Sequence, residues 1–240
     1  MISVCIATFN GATFISEQIE SILPQLKDGD EIIISDDASS DETLSIVRTI
    51  AHTSPISFRI IENKTSIGYV ANFEKALNYS SGDIIFLSDQ DDVWHPQKVE
   101  TCLRELEKAD FVTHDAEIVD KFLKTTNQTF YELRHPANNW IGTVIKFAHL
   151  GCCFCFKRDV LQKALPFPPN RKYCTHDNWL YLIAETFYST IRLNEPLIKY
   201  RRHEHNASLG SANAHKSCLF RITYRLYLLY NLLQRSLRHS

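Results

Sequence analysis

After Glu204 the 240-residue chain contains no acidic residue. It also lacks any uncharged apolar run of about 18 residues, so no membrane-spanning helix is expected. No basic segment opens the N-terminus, MISVCIATFNG, and polar residues soon interrupt it. A signal peptide is therefore not expected, and the body is placed in the cytoplasm. The C-x-x-C spacing of a zinc knuckle is missing too. Instead Cys152, Cys153 and Cys155 crowd into one apolar run, GCCFCF, and the total of seven is odd. They read as reduced core thiols; the zinc alternative has only His149 nearby and no second well-spaced ligand pair. Internal repeats and low-complexity linkers are absent, which favours one large α/β domain with a short appendage over two independent cores. With 44% hydrophobic and 22% charged residues, collagen, coiled coil and long disordered arrays are excluded.

The formal net charge of −2 conceals a split, because Lys216, Arg221, Arg225, Arg235 and Arg238 all follow Glu204. The body is acidic and the tail basic.

The first half alternates short β-branched runs with helical patterns. ISVCIAT (2–8), EIIIS (31–35), SFRIIE (57–62) and DIIFLS (83–88) read as buried strands. Apolar positions after the first strand recur at helical spacing as far as Pro24, and helices are expected near 41–51, over 70–77, and from Pro96 to about 108. Such repetition implies a Rossmann-like, mainly parallel sheet flanked by helices. Ligands then bind beyond the carboxyl ends of the strands. In the second half 111–119 and 151–158 are strand-like, 124–142 is loop-rich, 176–187 is helical, and 191–193 and 197–201 are closing strands.

Three strand ends carry polar groups that a scaffold does not need: Thr8-Phe9-Asn10-Gly11, then Asp36-Asp37 with Ser39, Ser40 and Asp41, and Asp89-Gln90-Asp91-Asp92. Three carboxylates within four residues repel one another unless a cation or donors hold them, so this last run suggests a divalent metal site. An oxygen ligand set suits Mg²⁺ or Mn²⁺. For Asp92, an N-terminal helix carboxylate is an equal alternative. A carboxylate at Asp36 or Asp37 can accept the imide N–H of uracil or thymine, or it can cap a helix.

The stretches SVCIATFNG, EIIISDDASSDET, IGYVANFEKAL and GDIIFLSDQDDVWHPQK resemble the successive motifs of family 2 glycosyltransferases, which have the GT-A fold. LGCCFCFKRDVL, ALPFP, THDNWLYLIAE and EPLIKYRRHEHN resemble the rhamnosyltransferase-like members that extend bacterial surface polysaccharides. The resemblance spans about 1–205, with a nucleotide-sugar half (1–109) and an acceptor half (110–205), followed by a C-terminal helical tail (206–240). It implies an inverting, metal-dependent enzyme with a UDP- or dTDP-linked donor and a saccharide acceptor, lipid-linked on polyprenyl diphosphate. By the resemblance, Asp37 contacts the pyrimidine, and Thr8 and Asn10 form the first nucleotide loop. Gly68 and Asn72 line the nucleotide pocket, Asn72 being equally readable as a structural hydrogen-bonder. Asp89 and Asp91 end the D-x-D motif, Asp91 as metal ligand, with Mn²⁺ or Mg²⁺ as cofactor.

Asp177 falls where the family carries its catalytic base. A carboxylate can deprotonate an attacking sugar hydroxyl without forming a covalent intermediate. His176 orients the acceptor or only caps the helix. Arg201, Arg202 and His203 reach the diphosphate, with Arg202 the donor contact and His203 a third metal ligand, or they form a solvated turn. Trp94, Trp140 and Trp179 stack on a sugar or pack in the core.

Two other classes compete. A nucleotidyltransferase would carry a Gly-rich loop with a basic residue after the first strand, and TFNGATF has neither Lys nor Arg. A non-catalytic saccharide- or nucleotide-binding domain would bind without turnover. Nucleic-acid binding is not expected from an acidic body. In the tail, Leu219, Ile222, Leu226, Leu229, Leu233 and Leu237 share a helical face with Arg221, Arg225 and Arg235 opposite. That helix either lies peripherally on the cytoplasmic face of the inner membrane or docks on the domain with its arginines solvated.

Overall fold

The computed structural model describes residues 1–204 and 217–237. The domain boundary at 205/206, Lys216 and Arg238 lie outside the described residues.

The first four strands, β1 (Ile2–Thr8), β2 (Glu31–Asp36), β3 (Ser57–Glu62) and β4 (Ile84–Ser88), pair in parallel in the order β3-β2-β1-β4. They are linked through α1 (Ile15–Ile22), α2 (Thr43–Thr53) and α3 (Tyr69–Tyr79). After β5 (Val93–Trp94) and α4 (Lys98–Leu106), the chain adds β6 (Phe111–Asp120), β7 (Thr125–Thr129), α5 (Phe130–Arg134), α6 (Trp140–Ile145), β8 (Phe154–Lys157), α7 (Arg158–Ala164), α8 (His176–Phe187), β9 (Thr190–Arg202) and α9 (Cys218–Leu237). Among the described residues the nine strands form one sheet, which is mixed beyond β4. There β8 runs antiparallel to both β4 and β6, β6 parallel to β9, and β5 antiparallel to β9.

Alternating side chains feed two cores, one on each face of the sheet. Cys5, Ile33, Ile85 and Leu87 join the core with Phe73, Trp179 and Leu228, whereas Val4, Ile6, Ile32, Ile34 and Phe86 join that with Ile15, Ile19 and Val99. Burial on both faces explains why these strands read as continuous apolar runs. Both cores also draw on β6 and β8, so the two halves share one interior.

The second half departs from its sequence pattern in three places. The loop-rich 124–142 holds β7, α5 and the start of α6; α5 starts at a Thr129–Glu132 capping box and α6 at Asn139, elements of five or six residues, too short to show an apolar period. The two closing strands are one, β9, with register shifts opposite His114–Glu117 that absorb the Asn194–Pro196 segment. Gly151–Cys153 is a 3-10 turn, leaving only Phe154–Lys157 as strand.

All seven cysteines are free thiols, with only Cys218 exposed. No helix among the described residues is long and apolar enough to cross a membrane. The docked alternative holds for α9, with one correction: of its three arginines only Arg221 is exposed, and the other two are taken up by the domain. Arg225 donates to the Val144 and Ile145 carbonyls and Arg235 to those of Leu165 and Pro166, beside buried Leu228 and Leu232. The opposite stripe, Leu219, Ile222, Leu226, Tyr230, Leu233 and Leu237, is exposed. The helix thus buries its arginine side and presents its leucines.

Candidate active site at the strand ends

The ends of β1, β2 and β4 meet through side-chain ties. Thr8 Oγ1 donates to Asp36 Oδ1 at 2.8 Å, and Asp36 also accepts Ser39 N at 2.8 Å and Ser39 Oγ at 2.6 Å. Asn10, at φ 48, accepts the Ser40 amide at 2.9 Å and donates its own amide to Ser39 Oγ at 2.8 Å. The middle residue of the D-x-D motif is not a spacer. Gln90 Oε1 accepts Phe9 N at 2.8 Å and its Nε2 donates to Phe9 O at 3.0 Å, clamping the first loop to the acidic loop. Gly11 is needed beside it, because a Cβ there would stand 2.3 Å from Gln90 Oε1.

Asp37 is buried and accepts Ser66 Oγ (2.7 Å), Ile67 N (2.6 Å) and Gly68 N (3.0 Å). It therefore holds the turn at Gly68, whose φ of 82 opens α3. Asn72 is corrected to a structural role. Its Oδ1 accepts Ser35 Oγ (2.6 Å) and Asn63 Nδ2 (3.0 Å), and its Nδ2 donates to Ser35 O (2.7 Å) and Thr8 O (3.3 Å). That uses the amide's full hydrogen-bonding capacity inside the chain.

The acidic loop meets the end of β9. His203 Nε2 lies 2.7 Å from Asp91 Oδ2, and its ring rests on Phe14 at 4.7 Å. Two donor atoms at this spacing resemble neighbouring corners around an ion bound at about 2.1 Å, which are ~3 Å apart. Desolvation, then the Asp91 charge, then that of Asp177, push the Asp89 carboxyl up to about 7; Asp92 is raised by burial and by Asp91 and Asp89. A carboxylate cluster strained by its own charge, beside an imidazole, fits a hard or borderline divalent ion. Asp91 and His203 are the pair whose contact would hold it, and Asp89, the other end of the D-x-D motif, groups its ligand atom with Asp92 and Cys152.

Arg201, not Arg202, is the arginine built into this loop. It is buried, and its groups donate to Asp91 O (2.8 Å), Asp92 Oδ1 (3.1 Å), Lys121 O (2.8 Å) and the Glu17 carboxylate. Strand alternation turns Arg202 to the other face, where it is exposed. Asp92 does not cap the following helix, because it is buried and the N-cap position of α4 is Gln97.

Asp177 stands in the first turn of α8. Its Oδ1 accepts Asn178 N at 2.8 Å and Thr175 Oγ1, leaving Oδ2 without a partner among the described residues. A Cβ built on Gly151 would stand 3.4 Å from Asp177 Cβ, so the start of α8 lies beside the turn that carries Cys152. His176 does not cap the helix; Thr175 and Asn178 do. Its ring stacks on Phe73 at 4.1 Å and lies against Gly151, where a Cβ would come within 2.5 Å of Nε2, while Nδ1 is buried without a partner. Burial lowers its pKa despite the Asp177 charge.

Trp179 is corrected to the core: it is 0% exposed, and its Nε1 donates to Ala164 O at 2.8 Å. Trp94 is buried as well, and Trp140 donates to Thr186. Phe14, Tyr69 and Lys98 had no signal of their own in the sequence; Gln90 was read only as part of the acidic strand end and Cys152 only as a core thiol. Tyr69, 48% exposed, stands edge-on to His176, and Lys98 is fully buried, donating to the Cys152 carbonyl.

The chain resembles known proteins along most of its length. It is 31% identical over 223 residues to the dTDP-rhamnosyl transferase RfbG of Shigella flexneri, covering 83% of this chain and 72% of that protein. To the UDP-Glc:alpha-D-GlcNAc-diphosphoundecaprenol beta-1,3-glucosyltransferase WfgD of Escherichia coli it is 24% identical, covering 87% and 79%. Its fold matches S. aureus TarS 1-349 in complex with UDP-GlcNAc (TM-score 0.69, 16% identity, 100% of this chain and 73% of that one). It also matches the mannosyltransferase PcManGT of Pyrobaculum calidifontis in complex with GDP-Man and Mn²⁺ (TM-score 0.67, 20% identity, 95% and 69%). These are GT-A folds, and residues 3–165 match the family described as Glycosyl transferase family 2. On the order of its strand-end motifs, its sheet and these matches, the chain belongs to glycosyltransferase family 2 and uses a nucleotide-sugar donor.

Proposed function

We propose that this glycosyltransferase moves a sugar from a UDP- or dTDP-linked donor to a saccharide carried on polyprenyl diphosphate, with inversion, in surface-polysaccharide synthesis. The observation that supports the reading is the contact of Asp91 in the acidic loop with His203 at the end of β9, 2.7 Å apart. The names of RfbG and WfgD support dTDP- or UDP-sugars and a lipid-linked acceptor.

In this reading Asp91 and His203, with Asp89, hold Mn²⁺ or Mg²⁺, which supplies charge neutralisation to the leaving diphosphate. The first loop, clamped by Gln90, and the turn that Asp37 ties at Gly68 hold the nucleotide; Thr8 and Asn10 shape that loop rather than reach far from it. Asp177 Oδ2 takes the proton of the acceptor hydroxyl as it attacks the anomeric carbon. The Thr175 and Asn178 donors fix the other oxygen, so the base is oriented before substrate arrives. Tyr69 and His176 line the acceptor side.

The leucine stripe of α9 gives a membrane-facing surface at which a lipid-linked acceptor is met. Insertion there is apolar, because Arg225 and Arg235 are already bound to domain carbonyls. The enzyme works at the cytoplasmic leaflet in this view.

The test is transfer from a panel of UDP-, dTDP- and GDP-sugars to a diphosphopolyprenyl-linked saccharide, with and without Mn²⁺ or Mg²⁺. Metal-dependent transfer from a UDP- or dTDP-sugar, lost in Asp91→Asn and Asp177→Asn, supports the reading; full transfer by either variant refutes the site assignment.

A further inference from the structure

The thiol of Cys152 lies against the acidic loop, and no step of the transfer uses it. One ligand atom each of Asp89, Asp92 and Cys152 lies within 4.8 Å of the others. The 3-10 turn Gly151–Cys153 brings the cysteine there, where an uninterrupted strand would have carried it past. Asp92 is 0% exposed; its Oδ1 accepts the Arg201 amide at 3.1 Å, the Cys152 thiol hydrogen-bonds to the Asp92 and Asp89 carboxyls, and Oδ2 of Asp92 is left without a partner among the described residues. A buried carboxylate oxygen without a donor is costly, and a cation is among the few groups that relieve it. Lys98, also 0% exposed, donates to the Cys152 carbonyl at 2.8 Å and lies 3.9 Å from the Trp94 ring centroid. Two carboxylates and a thiolate, offset by one ammonium, leave the two negative charges that a divalent ion neutralises. Asp89 is the partly exposed member and opens the cluster to the crevice.

We propose that Asp89, Asp92 and Cys152 form a second cation site, beside the Asp91–His203 pair, that takes thiophilic divalent ions such as Zn²⁺. The ligand chemistry sets the preference: carboxylate and imidazole suit Mg²⁺ and Mn²⁺, whereas a thiolate selects Zn²⁺ or Co²⁺. Binding displaces to solvent the thiol proton and those that burial holds on the two carboxyls, so affinity rises with pH. Because Asp89 belongs to both groups, an ion here withdraws it from the donor side. Zn²⁺ therefore inhibits rather than replaces the activating ion; that consequence alone rests on the donor-site reading.

The experiment uses the full chain and Co²⁺ alone, followed by ultraviolet absorption. The expected result is a thiolate-to-cobalt charge-transfer band that saturates at one ion, is displaced by Zn²⁺ and resists excess Mg²⁺. It disappears in Cys152→Ser and persists in Cys218→Ser and Asp91→Asn, while Asp92→Asn weakens Zn²⁺ binding at least about 10-fold. No band in the wild type, or one that survives Cys152→Ser, overturns the proposal. Should Cys152→Ser fail to fold by circular dichroism, X-ray absorption of the Zn²⁺-loaded wild type decides. A sulfur neighbour at about 2.3 Å with oxygen at about 2.0–2.2 Å supports the site, and a shell without sulfur overturns it.

Discussion

His203 and Asp91 are 112 residues apart in the chain and 2.7 Å apart in the fold. The imidazole and the carboxylate satisfy each other, and in the proposed function the same two side chains would hold the cation. His203→Ala is expected to weaken Mn²⁺ binding about 10–100-fold and Asp91→Asn to reduce transfer by about 10²–10³-fold. Mn²⁺ paramagnetic resonance and donor turnover check the two separately. Unchanged Mn²⁺ affinity in both variants would show that the ion is held elsewhere.

Asp89 links pH to stability. Its folded-state pKa is raised to about 7, so the stability it contributes is complete below the unfolded carboxylate pKa and is lost as pH rises through about 7. Metal-free protein is expected to melt at progressively lower temperature between pH about 4 and about 7, relative to Asp89→Asn. Mn²⁺ reverses the loss. Parallel melting curves for wild type and variant over that window would contradict it.

Asp177→Asn keeps the hydrogen bonds that fold the first turn of α8 but removes the proposed base. Transfer is expected to fall by about 10²–10⁴-fold with donor affinity unchanged by calorimetry. Thr175→Val, which removes one donor to Oδ1, costs less and affects turnover rather than donor binding. Equal loss of donor affinity in Asp177→Asn would move this residue from the acceptor side to the donor side.

Gly11→Ala pushes a methyl against Gln90, at a built distance of 2.3 Å from Oε1. Breaking the two Gln90–Phe9 hydrogen bonds is expected to lower stability by about 1–3 kcal/mol and to raise the donor KM. In Gln90→Ala the same glycine substitution should be nearly neutral. Additive losses in the double variant would mean the two residues do not act through each other.

On α9, Leu232→Ala is expected to cost about 2–5 kcal/mol, because Leu232 is buried against the domain. Leu226→Lys and Leu233→Lys, on the exposed stripe, are expected to leave stability within about 0.5 kcal/mol and to reduce binding to phospholipid vesicles. Flotation of the folded variants with vesicles at wild-type levels would remove the membrane role from this face.

The strand-end logic was open to reading because it is local. A buried strand followed at once by Asp36-Asp37 or Asp89-Gln90-Asp91-Asp92 puts polar groups at the carboxyl edge of a parallel sheet, whatever the later chain does. The β-branched runs likewise located β1 to β4. By contrast β7, α5 and α6 are held by caps and by pairing to β6, so no periodicity announced them. Asn72 and Trp179 illustrate a second limit. A residue type tells what it can bind, but whether protein or ligand takes up that capacity depends on neighbours such as Ser35, Asn63 and Ala164, far away in sequence.

By itself the sequence determined the alternation of strands and helices, the family, and which carboxylates crowd the crevice, since periodicity and charge spacing are properties of neighbours in the chain. Tertiary structure alone decided that Arg201 rather than Arg202 braces the acidic loop, that His203 and Cys152 both come against it, and that α9 turns Arg225 and Arg235 inward. Each depends on which long-range partner saturates a polar group in a dry interior, and that competition takes place only once the chain has packed.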